Sequence, residues 1–170
     1  MKRQWIGLAI AAAGGLLMGA LIMRATTSSP SRVERADLNF TLKDMNGKEV
    51  RLADFAGKPL VINLWATWCG PCQLEMPQLV TLSEKFKSKG LSIIGISTDD
   101  TPEQIQAFAK EYEVPYPLLV GKDRQDLLSA LGYFGAVPMS ILIAADGTVA
   151  ARIPGIATTD AWERRLQALF

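Results

Sequence analysis

The chain has 170 residues, 49% hydrophobic and 21% charged, which is one ordinary domain with some residues left over. Its 18 Lys and Arg nearly balance 17 Asp and Glu, so it lacks the basic footprint of a nucleic-acid binder. It has no His and only two Cys, which excludes a Ser-His-Asp triad, a His-paired cysteine nucleophile, His-ligated metal sites and a four-cysteine zinc site.

The apolar residues are concentrated at the start. Trp5 to Met23 is free of charge, and as a helix it roughly matches the ~30 Å hydrocarbon core of a bilayer. Lys2 and Arg3 precede it, so the positive-inside rule keeps the N-terminus in the cytoplasm and carries the remainder across. No clean small-residue cleavage site follows, which favours an uncleaved anchor (residues 1–24, membrane contact through 5–23) over a removed signal sequence. Gly15 and Gly19, with Ala11, form a small-residue stripe inside it. Residues 25–35 are polar and read as a linker, and a domain is expected over 36–170.

Within that domain, Asn39–Leu42 and Glu49–Leu52 flank Asn46-Gly47 and predict a β-hairpin. Leu60–Ala66 is nearly continuous apolar sequence, suited to a strand buried on both faces. Pro71–Lys89 has helical spacing, with Leu74, Leu79, Leu82 and Phe86 expected on one face. Leu91–Ser97 is a second buried strand. Thr101-Pro102-Glu103-Gln104 carries an N-cap, a Pro at the first helical position and a Gln at the third, predicting a helix to about Tyr112. A short strand at Pro117–Val120 and a short helix at Arg124–Leu131 follow. Met139–Ile143 and Thr148–Ile153 are strands joined through Asp146-Gly147, and Asp160 opens a last helix carrying Trp162, Leu166 and Leu169. Strands alternating with helices, then a hairpin, predict an α/β domain with a central mixed sheet.

The chemistry is concentrated at Trp68-Cys69-Gly70-Pro71-Cys72, between the buried strand and the helix. Two cysteines in C-x-x-C spacing at a helix start can close a disulfide with little backbone movement. The helix dipole and unpaired N–H groups favour a thiolate at Cys69, lowering its pKa below the free value of ~8.5. Cys69 is therefore expected to be the exposed nucleophile, and Cys72 the more inward resolving thiol. A static staple over so short a loop would add little stability. Two rival readings are a Cu(I) site using Cys69, Cys72 and Met76, and a thiol peroxidase. For the latter, Thr67 stands one residue too close to Cys69.

The run Asp54 to Pro77, with Trp65-Ala66-Thr67-Trp68-Cys69-Gly70-Pro71-Cys72, Asn63, Glu75 and Pro77, resembles the TlpA-like thiol–disulfide oxidoreductases. The resemblance spans Leu38 to Phe170. It implies a thioredoxin-like fold with an N-terminal hairpin and an inserted α/β unit, behind a transmembrane helix. It also implies a catalytic domain on the periplasmic side of the cytoplasmic membrane that works without a cofactor or metal. The expected partners are disulfide-containing extracytoplasmic proteins, such as apocytochrome c or oxidase assembly factors, and a transmembrane electron donor. Gly70-Pro71 between the cysteines suits a reductase.

The resemblance also assigns roles. Cys69, Cys72 and Glu75 are the catalytic candidates, with Glu75 a partly buried carboxyl passing protons to and from Cys72. Trp68, Gly70, Pro71, Val137 and Pro138 are the substrate-binding candidates, with Val137-Pro138 in a cis peptide. Asn63 stands where cytoplasmic thioredoxins hold a buried Asp. Met139 replaces the family's usual Thr and is expected to make the groove wall more apolar, and Pro77 is expected to kink the redox helix.

Overall fold

A computed structural model describes residues 33–170. The run Trp5–Met23, with Gly15 and Gly19, and linker residues 25–32 lie outside the described residues. Among the described residues, no helix is long and apolar enough to cross a membrane.

The strands are β1 (Thr41–Lys43), β2 (Glu49–Arg51), β3 (Leu60–Trp65), β4 (Ser92–Ser97), β5 (Leu118–Val120), β6 (Met139–Ile143) and β7 (Val149–Pro154). The helices are α1 (Gly70–Lys87), α2 (Pro102–Glu111), α3 (Gln125–Ala130) and α4 (Thr159–Gln167). β1 and β2 form the expected hairpin. The other five strands form one mixed sheet in the order β5-β4-β3-β6-β7, with β3, β4 and β5 parallel and β6 and β7 antiparallel. This is the α/β architecture with a central mixed sheet that the sequence pattern predicts, and it has the thioredoxin-like form that the resemblance implies.

β3 lies at the centre because all six of its residues are apolar or can be satisfied internally, and all six are buried. Its side chains alternate between faces. Val61 and Trp65 pack in one core with α1, α2 and α4, while Leu60, Ile62 and Leu64 pack in a second core with α3 and the N-terminal hairpin. The same alternation sends Asn63 to the α1 face. Its register partner Ser140, on β6, lies beside it.

The α1 stripe differs from the expected one. Cys72, Glu75, Met76, Leu79, Leu82 and Phe86 are buried, whereas Leu74 is 76% exposed. Two positions on from Cys72 is about 200° around a helix, which points Leu74 away from the core that receives Cys72. α1 runs continuously through Pro77. α2 carries the expected capping box, with Thr101 Oγ1 and Gln104 exchanging bonds with each other's backbone N–H. α4 is capped two residues earlier than Asp160 suggests, by Thr158.

Glu34 and Arg35, expected within the linker, are paired with the sheet. The Val149 N–H donates to the Glu34 carbonyl, the Ala36 N–H donates to the Gly147 carbonyl, and Arg35 bridges Thr148. Arg152 grips the Glu34 carboxylate with both terminal nitrogens, at 2.7 and 2.8 Å. From there Ala36, Leu38 and Phe40 pack against the second core, and past β1 Asp44 bridges Leu119 on β5. The segment thus runs across one face of the sheet from the β7 edge to the β5 edge.

Candidate active site

The C-terminal ends of β3 and β4 and the start of β6 meet at one pole of the sheet, because Leu64 is in register with both Ile96 and Met139. The segment leaving β3 there is Ala66-Thr67-Trp68-Cys69, and α1 begins at the next residue. Cys69 is the N-cap of α1: its Sγ accepts the Cys72 N–H at 3.1 Å. Pro71, in the first turn, lacks an N–H where none is needed.

Cys69 and Cys72 are joined in a disulfide with Cα atoms 5.2 Å apart. The expected exposure of Cys69 is not found in this oxidised state, where it is 3% exposed and Cys72 1%. Trp68, Gly70 and Pro71 form the solvent-facing shell over the pair, and the Trp68 indole donates to Asp99 at 3.0 Å.

Glu75, one turn after Cys72, is 1% exposed rather than partly buried. Its Oε2 accepts from Asn63 Nδ2 at 3.2 Å, and the same amide donates to Ser140 Oγ at 3.0 Å. Oε1 makes no well-formed hydrogen bond; the indole Nε1 of Trp162, likewise without one, faces the carboxyl from outside hydrogen-bond geometry. Burial of the carboxyl raises its pKa from 4.5 to about 7; the Asn63 amide and the Trp162 indole oppose the rise. Tyr116, buried nearby, donates to Met76 Sδ at 3.0 Å, and burial together with the Glu75 charge pushes its phenol upward.

Val137-Pro138 is cis, as the resemblance implies. Val137 packs against the core that contains both cysteines, and the Pro138 carbonyl accepts the Gly155 N–H at 2.8 Å. Met139 does not line a groove. It points into the second core, fully buried, because the strand pleat turns it away from Cys69.

One pole therefore gathers Trp68, Cys69, Gly70, Pro71, Cys72, Glu75, Val137 and Pro138. Other site residues carry no sequence signal of their own. Ser140 stands out only as the one polar residue in Met139–Ile143. Trp162 reads only as a core residue of the last helix, and Asp100 as half of an acidic pair after a strand.

A site of this form, a C-x-x-C disulfide capping a helix with an acid buried behind it, can accept or donate two electrons and two protons by disulfide exchange. The family profile described as the AhpC/TSA family matches residues 33–152. The thiol–disulfide oxidoreductase ResA of Bacillus thuringiensis subsp. konkukian is 35% identical over 133 residues, covering 77% of this chain and 75% of that protein. ResA of Bacillus subtilis is 35% identical over 120 residues, covering 71% and 66%. The crystal structure of a thioredoxin-family thiol:disulfide interchange protein from Chlorobium tepidum superimposes with a TM-score of 0.75 at 26% identity, covering 83% of this chain and 99% of that one. The chain belongs to the AhpC/TSA family of the thioredoxin superfamily, among the TlpA-, ResA- and DsbE-related proteins, and is a thiol–disulfide oxidoreductase acting through Cys69 and Cys72.

Proposed function

We propose that this oxidoreductase reduces disulfides of partner proteins outside the cytoplasm, tethered to the cytoplasmic membrane by residues 5–23. The reductive direction rests on Gly70-Pro71 between the cysteines, and the observation that carries the exchange chemistry is the buried carboxyl of Glu75, one turn behind Cys72, with a pKa pushed up to about 7. This carboxyl can hold a proton at neutral pH and exchange it with the inner sulfur.

In the proposed cycle, the Cys69 thiolate attacks one sulfur of the partner disulfide. A mixed disulfide forms, and the first partner sulfur leaves as a thiolate and takes a proton. Glu75 accepts the proton of Cys72, whose thiolate then attacks Cys69 Sγ. The second partner sulfur leaves as a thiolate and takes up the proton that Glu75 accepted, and the Cys69–Cys72 disulfide remains. The partner has gained two electrons and two protons, and a membrane dithiol donor restores the pair.

Trp68, Val137 and Pro138 are the contact residues for the partner segment. Trp68, Leu74, Phe134 and Ile156 are exposed apolar side chains from the segments that surround the pair. Gln78, one turn after Leu74, bonds Thr159 at 2.8 Å, which brings the α1 surface beside the segment carrying Ile156. The cytochrome c maturation or oxidase assembly setting is supported by the sequence resemblance, and the extracytoplasmic location by Lys2, Arg3 and the uncharged run after them.

The test is trapping. Cys72→Ser cannot resolve the mixed disulfide, so it should accumulate covalent adducts with partner proteins when expressed in cells, and dithiothreitol should release them. A Cys72→Ser protein that stays free of adducts, while the equivalent Cys69→Ser control behaves identically, would overturn the assignment.

A further inference from the structure

Thr67 is held unusually firmly for a loop residue. Its backbone N–H donates to Asp100 Oδ2 at 2.8 Å, its hydroxyl donates to Asp100 Oδ1 at 2.5 Å, and its carbonyl accepts from Gln73 Nε2 at 2.7 Å. Both of its backbone polar groups are thus satisfied by side chains, one from the loop after β4 and one from α1. Asp100 is 1% exposed and is itself oriented by Ser97, the last residue of β4. The Ser97 hydroxyl donates to Oδ2 at 2.6 Å and accepts the Asp100 N–H at 3.1 Å. A buried carboxylate with three donors converging on it is a rigid anchor.

The residue it anchors lies inside the turn that delivers the nucleophile. The Cys69 N–H donates to the Ala66 carbonyl at 3.2 Å, so Thr67 and Trp68 are the two central residues of a closed turn. The conformation of that turn decides whether Cys69 stays at the N-cap, with its sulfur on the first amides of α1. Those amides stabilise a thiolate only over a short, well-aimed approach.

We infer that Asp100 is a positioning residue for the redox reaction: through Thr67 it fixes the Ala66–Cys69 turn so that the Cys69 sulfur rests on the N-terminal amides of α1 once the disulfide is reduced. The inference rests on the reading of Cys69 as the attacking thiol. The acidic groups around that thiol are Asp99, which holds the Trp68 indole, Asp100 itself, and Glu75 behind Cys72.

Geometry and charge give opposite signs. If Asp100 acts by position, loosening the turn removes amides from the thiolate, and the pH of half-maximal alkylation rises. If it acts by its negative charge, removing that charge eases thiolate formation, and the same pH falls.

The experiment follows iodoacetamide alkylation of Cys69 against pH in full-length Cys72→Ser protein, with Asp100→Asn, Thr67→Val or Thr67→Ser added. Urea unfolding is recorded for each. Thr67→Val deletes one bond to Asp100 and leaves every charge in place; Thr67→Ser keeps the hydroxyl. The inference expects Asp100→Asn and Thr67→Val both to move the profile to higher pH. Each should slow alkylation at neutral pH by about threefold or more, about half a pH unit expressed as a rate. Thr67→Ser should match the parent. A profile that moves to lower pH in Asp100→Asn and stays fixed in Thr67→Val would overturn it in favour of charge. Lower stability with unmoved profiles would make Asp100 a structural brace and overturn it as well. If Asp100→Asn does not fold, the Thr67 pair decides alone. Iodoacetamide needs no partner, so this outcome is independent of whether Cys72→Ser captures one.

Discussion

Replacing Glu75 by Gln should change how the stability of the oxidised protein depends on pH. The disulfide removes both thiols from the titration, which leaves the carboxyl as the group that differs between the two proteins. In the native state the carboxyl is pushed from 4.5 to about 7, chiefly by burial, and in the unfolded chain it returns to its ordinary value. Between these two values the native protein holds a proton that the unfolded chain has released. By linkage, stability must fall as pH rises through this window and level off above it. The shift corresponds to about 3 kcal/mol for the whole window. The Glu75→Gln side chain cannot ionise and should show no such decline. Its amide also faces the Trp162 indole, two donors together, which adds a cost of about 1–3 kcal/mol that does not vary with pH. The informative quantity is therefore the pH dependence of the difference between variant and wild type, in which the remaining carboxylates cancel. Urea unfolding at fixed ionic strength, from about pH 4 to about pH 8, should show the variant gaining on wild type by about 3 kcal/mol, with most of the gain below pH 7. A difference that stayed constant within about 0.5 kcal/mol would mean that Glu75 titrates as an exposed acid, and the burial argument would fall.

Three further substitutions probe neighbouring parts. Asn63→Ala deletes the donor that favours the ionised carboxyl, so the pH midpoint of the stability decline should move upward, with a pH-independent loss of about 1–3 kcal/mol; an unmoved midpoint would detach Asn63 from Glu75. Gly95→Ala would place a Cβ 2.4 Å from a Leu118 methyl and 2.9 Å from Trp65 Nε1, and should destabilise by about 1–3 kcal/mol in urea, together with a changed Trp fluorescence spectrum. Thr101→Ala removes the N-cap of α2 and should cost about 1 kcal/mol without altering Cys69 alkylation; a slowed thiol would tie this cap to the site.

Some of these features are legible in the sequence because their signals are local. The apolar run Leu60–Ala66 has the length and composition of a central strand, and Thr101-Pro102 is a helix start by its capping chemistry alone. The pair of cysteines at a helix start declares its own chemistry. The features that are not legible depend on where the chain returns to itself. Leu74 has helical spacing from Phe86 if taken through intermediate positions, and only the inward direction of Cys72 shows that it must face out. Glu75 meets Asn63 across 12 residues, and Asn63 meets Ser140 across 77, so the polar cluster behind the disulfide exists only once the sheet has formed. Asp100 and Thr67 meet across 33 residues, and no spacing rule connects them. A boundary at Ala36 follows from composition, which does not register that Glu34 and Arg35 find backbone partners beside β7.

The path of residues 34–44 has a consequence for how this protein handles other chains. An open five-stranded sheet has two edges, each a row of unpaired N–H and C=O groups that invites any extended polypeptide to add a strand. An enzyme that engages disulfide-bearing partners meets such segments routinely. Here Glu34–Ala36 occupies part of the β7 edge and Asp44 part of the β5 edge, so one short stretch of chain blunts both. Strand addition and edge-to-edge aggregation are thereby discouraged at the sides of the sheet, and extended segments are left to meet the domain at the pole where the sulfur atoms lie.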